Sequence, residues 1–306
     1  MPQYLHAGDV LVLNETRVIA ARVFGARESG GRAELLLLHP SHTLRYDPAA
    51  TRWLALAKPA RRLRAGERIT FGDLGEARIA GVRDEGVREV EFWLQLPFEE
   101  FLQRAGRLPL PPYIRNESDE AQERYQTIFA RQPGSVAAPT ASLHFTERVF
   151  DALRARDVQI VKLVLNVGLG TFRPMQTQRI EEHAMHAESF SIPEATAEAV
   201  LRAKTEGRRV IAAGTTVVRA LEGSASKHGT LRAGEDETGI FIKPGWRFRI
   251  VDAMITNFHL PQSTLLVLVS AFAGRETILR AYAEAIAREY RFFSFGDAML
   301  ILQSSS

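Results

Sequence analysis

Hydrophobic and polar positions change rhythm twice along the chain. "DVLVLN" (9–14) is a run of branched apolar residues and reads as a buried strand. Between residues 22 and 96 come short β-rich segments, "RAELLLLHP", "RWLALAKP", "ERITFG", "ARIAGV" and "VREVEFWL", punctuated by Gly, Pro and Asp. That rhythm predicts a small antiparallel barrel or sandwich. The Pro-rich "LPLPPYIR" (108–115) closes it, and "NESDEAQER" reads as a charged linker. From residue 133 helix and strand alternate. "TERVFDALRARD" (146–157) has a Thr cap and an apolar stripe at Val149, Phe150 and Leu153, and leads into the buried strand "VQIVKLVLNVG". "PEATAEAVLRAKTEG" is a helix from near Pro193 to Gly207, "RRVIAAG" another buried strand and "TTVVRALE" another helix. Near the end, "ETILRAYAEAIAREY" puts Ile278, Leu279, Tyr282, Ala285 and Ile286 on one stripe. The pattern predicts an α/β main domain with a mixed or barrel-like sheet (1–20 and 112–306), interrupted by an inserted all-β barrel domain (21–111).

Composition narrows the chemistry more than the fold. The 306 residues suffice for two domains, and 45% hydrophobic with 25% charged residues is ordinary for a globular chain. The absence of cysteine excludes thiol catalysis, disulfides and cysteine-bound metals. "MPQYLHAGDVLVLN" lacks the plan of a signal peptide, and the longest apolar run, "LLVLVSAFAG", falls short of the ~20 residues that span a bilayer. The expectation is a cytoplasmic monomer with no membrane partner. A net charge of +3 and a pI near 9.3 permit a nucleic-acid partner without requiring one.

Five stretches carry candidate chemistry. "EEHAMHAESF" (181–190) sets His183 and His186 three apart, which on a helix puts both on one side. It fails the zincin H-E-x-x-H and inverzincin H-x-x-E-H spacings, so no metal is expected; two imidazoles beside Glu182 and Glu188 suit proton transfer, or a crowded polar helix end. "VIAAGTTVVRALE" (210–222) turns from strand to helix at Thr215 and Thr216, which either cap the helix or, with Arg219 one turn on, hold an anionic ligand. "VGLGTF" (167–172) has two glycines, Gly168 and Gly170, but Arg173 where a dinucleotide fingerprint needs its third. "TNFHLPQSTLLVLVSAFAG" (256–274) presents Asn257 and His259 on a loop ahead of a helix capped by Ser263 and ended by Gly274. "AAPTASLHFT" (137–146) reads as a plain turn ending at His144. Arginines concentrate in "KPARRLRAGER" (58–68), and "EYRFFSFGD" mixes Arg291 with aromatics, a combination that suits phosphates and unstacked bases or a packed core edge.

In order from residue 8 to about 301, "GDVLVLNETRVIAARVFG", "LPLPPYI", "VAAPTASLHFT", "VGLGTFRP", "HAMHAE", "VIAAGTTVVRALE", "TNFHLPQSTLLVLVSAFAG" and "YRFFSFGDAMLI" closely resemble the S-adenosylmethionine:tRNA ribosyltransferase-isomerases of queuosine biosynthesis. The resemblance implies an α/β domain with an inserted β-barrel. It also implies transfer and isomerisation of the ribosyl group of S-adenosylmethionine, a co-substrate, onto 7-aminomethyl-7-deazaguanine in a tRNA anticodon. Epoxyqueuosine-tRNA, adenine and methionine would be the products. On that footing His183, His186, Glu188 and His259 are expected at the reacting centre, with His144 a second candidate. Gly168, Gly170, Thr215, Thr216, Arg219 and Asn257 are expected around S-adenosylmethionine, with Arg219 on its carboxylate. Arg17, Arg61, Arg62, Arg64, Arg291 and Phe292 are expected to meet tRNA. Two departures from the family pattern stand out. Asn166 takes the place of a histidine and cannot carry a proton near neutrality. Met1 lies seven positions before Gly8, where relatives usually carry a few dozen residues, so a shortened or misplaced start is expected. The rival readings are a non-catalytic tRNA-binding protein and a metal-dependent hydrolase.

Overall fold

Val10–Asn14 is buried at all five positions, which requires a strand covered on both faces, and it lies inside a seven-stranded sheet. The computed structural model describes residues 1–111, 113–114, 118–168, 179–183 and 185–302. The chain divides into two compact units: Met1–Thr16 with Glu123–Gln132 and Ala138–Ser306, and Arg17–Gln122 with Pro133–Ala137.

In the first unit the sheet runs in the order Gly234–Thr238, Glu188–Ile192, Gln159–Leu165, Val10–Asn14, Val210–Ala213, Ala253–Asn257, Ala298–Leu302. The four central strands are parallel and the outer ones antiparallel, so the sheet is mixed. Successive side chains point to opposite faces. Leu11, Leu13, Ile211, Ala213, Ala253 and Ile255 therefore share one cluster with Phe145, Phe150 and Leu153. Val10, Val12, Val210, Ala212 and Met254 are equally buried, and the helices Glu194–Thr205 and Thr215–His228 pack on the sheet. The helices start and stop where local chemistry dictates. Thr146 and Ser263 each accept an N–H bond from the first turn of their helix, and Gly274 ends the second at a positive φ.

The second unit is an all-antiparallel barrel. Arg22–Arg27 pairs with Arg32–Pro40, which pairs in turn with Arg52–Lys58, Arg88–Leu94, Gly75–Val82 and Arg68–Thr70, and the last returns to Arg22–Arg27. Six strands thus close on themselves, which removes the exposed edge. Alternation is clean along Arg52–Lys58, where Trp53, Ala55 and Ala57 point inward. The helix Phe98–Ala105 adds Phe98, Phe101 and Leu102 to that core, with Phe98 stacked 4.7 Å from Trp53.

Two local expectations differ. The charged linker contains a short helix, Asp119–Arg124, because Ser118 Oγ accepts the Ala121 N–H at 3.3 Å and caps it. The stripe on Arg275–Ala287 is narrower than its periodicity suggests. Ile278 and Ala285 are buried, but Leu279 and Ile286 stand 44% and 66% exposed, because the helix buries only one edge.

Candidate active site

The parallel strands place Gln159–Leu165 and Val210–Ala213 on opposite sides of Val10–Asn14, so the chain order switches direction there. In open α/β sheets such a switch opens a crevice beyond the strands' carboxyl ends. A small cavity of about 30 Å³ lies there, lined among others by Ala138, Val167, Gly214, Thr216, Asn257 and His259. It has room for about one water molecule, so it can form only the floor of a ligand site.

Three carboxyl-end segments build that floor. Gly214, at φ +99, makes the sharp turn from strand to helix and is itself the N-cap of Thr215–His228. Thr215 and Thr216 therefore lie in the first helical turn and do not cap it, which corrects the expectation for them. Asn14, fully buried, ties neighbours together: its Nδ2 donates to Leu165 O at 2.9 Å and to Thr216 Oγ1 at 3.4 Å, and its Oδ1 accepts from Thr16 N and Leu165 N at 3.1 Å each. Asn166 continues the network, accepting from Thr16 Oγ1 at 2.8 Å and donating to Ser189 Oγ at 3.4 Å. Position 166 is thus a hydrogen-bonded brace.

The third segment carries Asn257 and His259. Asn257 Nδ2 donates to Phe293 O at 3.2 Å and to His144 Nε2 at 3.4 Å, while its buried Oδ1 finds no partner among the described residues. His259 Nε2 lies 2.7 Å from Thr256 Oγ1, and its backbone N–H donates to Tyr282 Oη at 2.7 Å. A sliver of the residue remains exposed, yet enclosure of the ring pushes its pKa down to about 4, so it is neutral at pH 7. Burial also lowers His144, against an opposing effect of Asp297.

Among the described residues of 181–190 there is no α-helix. Ile180–Glu182 is a single 3-10 turn, His183 has extended backbone, and Glu188–Ile192 is a strand. Five residues of that strand pair with Gly234–Thr238, and this distant ladder overrides the local helical spacing. His183 is half-buried with its ring edge-on to Phe241, and His186 is exposed. Glu188 is 4% exposed; it accepts from Gly168 N at 3.1 Å and forms an ion pair with Arg219. Arg219, also 4% exposed, further reaches His186 O at 3.5 Å and Thr238 O at 3.4 Å, leaving only Nε without a partner. Its guanidinium is therefore engaged within the chain by Glu188 and two backbone carbonyls. Gly170 lies outside the described residues.

The basic candidates differ in presentation. Arg17, Arg61, Arg62, Arg64 and Arg291 are exposed. Phe292 is half-buried, packed against Phe258, Tyr282 and Phe293. Sequence reasoning missed the groups that hold these segments. Arg88, 6% exposed, donates from Nε to Leu63 O at 2.7 Å, from Nη2 to Ala60 O at 2.6 Å, and from Nη1 to Gly86 O, which shapes the loop bearing Arg61 to Arg64. Glu222, fully buried, accepts the N–H groups of Arg249, Ile250 and Val251. Glu222 closes the stretch 210–222, yet nothing local shows that its partners lie near residue 250, and Arg88 stands in no site motif. Among the described residues no three His, Asp or Glu are arranged to hold a metal ion, and no helix is long and apolar enough to cross a membrane.

Residues 1–301 match a family model described as queuosine biosynthesis protein. A relative named S-adenosylmethionine:tRNA ribosyltransferase-isomerase from Symbiobacterium thermophilum is 52% identical, covering 99% of this chain and 87% of that one. The protein of the same name from Natranaerobius thermophilus is 50% identical over 98% of this chain and 86% of its own. A solved structure, that of an S-adenosylmethionine tRNA ribosyltransferase from Thermotoga maritima, is 33% identical with a TM-score of 0.49, covering 98% of this chain and 85% of that one.

Proposed function

The chain belongs to the queuosine biosynthesis protein family, and from that premise we propose that it is an S-adenosylmethionine:tRNA ribosyltransferase-isomerase. The observation that carries this is identity of about half to proteins of that name along 98–99% of the chain. The substrates are S-adenosylmethionine and tRNA bearing 7-aminomethyl-7-deazaguanine; the products are epoxyqueuosine-tRNA, adenine and methionine.

The sulfonium of S-adenosylmethionine acidifies the neighbouring C5′ hydrogens, so the co-substrate supplies the difficult electronics. The protein must take a proton from C5′, receive the departing adenine and align the aminomethyl nucleophile. His186 or His183 takes the proton. His259, neutral through burial, and the unpartnered Oδ1 of Asn257 form a polar but uncharged wall that suits the adenine base, whose exocyclic amine can donate to that oxygen. The Gly214 N–H is taken up by Ile255 O at 2.8 Å, and the first-turn N–H groups of Thr215 and Thr216 face the ligand as those of a helix start. Glu188 and Arg219 act as positioning residues, since Glu188 grips the N–H of Gly168 beside Val167 of the cavity wall. The exposed Arg17, Arg61, Arg62, Arg64 and Arg291 contact tRNA.

The test is adenine release by the purified protein from S-adenosylmethionine and 7-aminomethyl-7-deazaguanine-tRNA. Release that needs both substrates is expected, and none at all would sink the reading. Among His183→Ala and His186→Ala, loss of the base should lower kcat by ~10²–10⁴. Full activity in both variants would remove these two histidines from proton transfer while leaving the overall reaction in place.

A further inference from the structure

The barrel unit carries a broad open groove of about 760 Å³, far larger than the cavity beside His259. Its walls include Phe24, Arg32, Thr70, Phe71, Arg104 and Arg107, and among the described residues no carboxylate lines it. Arg104 is balanced by Glu100 one helical turn away. Arg32 and Arg107 are exposed, and neither has a carboxylate partner among the described residues. Arg32 lies over Phe24, its guanidinium carbon 4.2 Å from the ring centre, with that of Arg22 at 5.2 Å, so the aromatic ring helps hold the Arg32 cation in place.

Arg107 has a second peculiarity. It stands directly opposite Arg22 in the antiparallel pairing of Gly106–Arg107 with Arg22–Arg27. Like charges in that position repel. Arg22 is neutralised by Glu34 at 2.9 Å, which leaves Arg107 as the excess cation at the groove's rim. Two unbalanced guanidinium groups, one pre-oriented on an aromatic ring, in an acid-free concave surface fit a chain of phosphates. They fit a compact apolar ligand poorly.

We propose that this groove binds the phosphodiester backbone of the RNA substrate, with Arg32 and Arg107 each contacting a phosphate and Phe24 acting as a positioning residue for Arg32. The proposal rests on the tRNA reading given above, and adds a binding surface on the barrel distinct from the Arg61, Arg62 and Arg64 loop. Phosphate contacts release counterions, so each lowers log affinity by about 0.7–0.9 per tenfold rise in salt.

The experiment measures binding of an unmodified tRNA transcript to the full chain across salt concentrations. The wild type is compared with the double variant Arg32→Gln/Arg107→Gln, with Phe24→Leu, and with Arg83→Gln as a control on the same barrel. The double variant should show a salt slope shallower by about 1.4–1.8. Its affinity deficit should shrink roughly 7–12-fold between ~50 and ~200 mM salt, which is the same slope restated. Phe24→Leu should weaken binding less and leave the slope nearly intact, and Arg83→Gln should change neither. A double variant with wild-type affinity and slope, beside a strongly salt-dependent wild type, would overturn the groove and leave the tRNA reading standing. A wild type that binds tRNA weakly and without salt dependence would overturn both. Circular dichroism melts of each variant confirm that the exposed substitutions leave the fold intact.

Discussion

Glu188 and Arg219, thirty-one positions apart, form an ion pair whose side chains are 3% and 5% exposed, and the same carboxylate accepts the N–H of Gly168. The pair joins the strand Glu188–Ile192 to the helix Thr215–His228 next to the cavity.

Removing one member of a buried pair leaves the other charge uncompensated, which costs roughly 3–5 kcal/mol. Glu188→Ala should therefore lower stability by that order in urea denaturation. Replacing both together, as Glu188→Gln with Arg219→Met, should cost much less, because no buried charge is stranded. A double variant as unstable as the sum of its singles would show that the two side chains act independently.

The helix reaches the strand Gly234–Thr238 through Gly223. A Cβ there would lie 2.4 Å from Thr238 Oγ1 and 3.0 Å from Thr238 Cβ. Gly223→Ala should cost ~1–3 kcal/mol by overpacking, despite the better helix propensity of alanine. Adding Thr238→Gly, which deletes both contacted atoms, should recover part of the loss in thermal melts. No recovery would place the strain elsewhere.

His259 supplies a pH signature. Its folded pKa is about 4, below the ~6.5 of an unfolded histidine, so as pH falls the unfolded chain takes the proton first. The stability it confers is complete above about pH 6.5 and declines through the window down to about pH 4. His259→Gln should be less acid-sensitive in that window. The difference in Tm between wild type and variant, followed from pH 7 to 4, measures this. A difference that does not change with pH would mean that the ring titrates normally and that burial does not hold it neutral in the acid range.

What the sequence made legible follows from how local each signal is. Val10–Asn14 and Val210–Ala213 read as buried strands because two covered faces demand unbroken apolar runs. Thr146 and Ser263 read as caps because the bond they make lies three residues away. The residues 181–190 misled because a three-residue spacing is compatible with a helix, while the partner that makes Glu188–Ile192 a strand lies near residue 236. The same distance hid the partner of Arg219. A sequence shows that a guanidinium and a carboxylate exist, but only the packed helix and strand decide that they meet. Arg88 was invisible for a related reason, since its partners are backbone carbonyls that any residue carries.

Asn14 offers the sharpest test of the network around the cavity. Its carboxamide donates to the Leu165 carbonyl at 2.9 Å and accepts from Thr16 N and Leu165 N at 3.1 Å each, in a site with no exposure. Asn14→Asp keeps the shape but replaces the donor with a carboxylate oxygen facing a carbonyl. At neutral pH this repulsion, the lost bond and the buried charge together should cost at least ~1–3 kcal/mol. Protonating the aspartate restores an O–H that can donate to Leu165 O, so the folded state holds that proton more tightly than the unfolded chain, whose aspartate titrates near ~3.9. The folded pKa is therefore raised. By linkage the variant is closest to wild type below ~3.9 and loses ground as pH rises toward that higher folded value. Urea midpoints of both proteins between pH 7 and the acid limit of folding should converge on acidification. A gap that stays constant with pH would mean that Asn14 does not donate to Leu165, and the Asn14 brace between Leu165 and Thr216 would have to be redrawn.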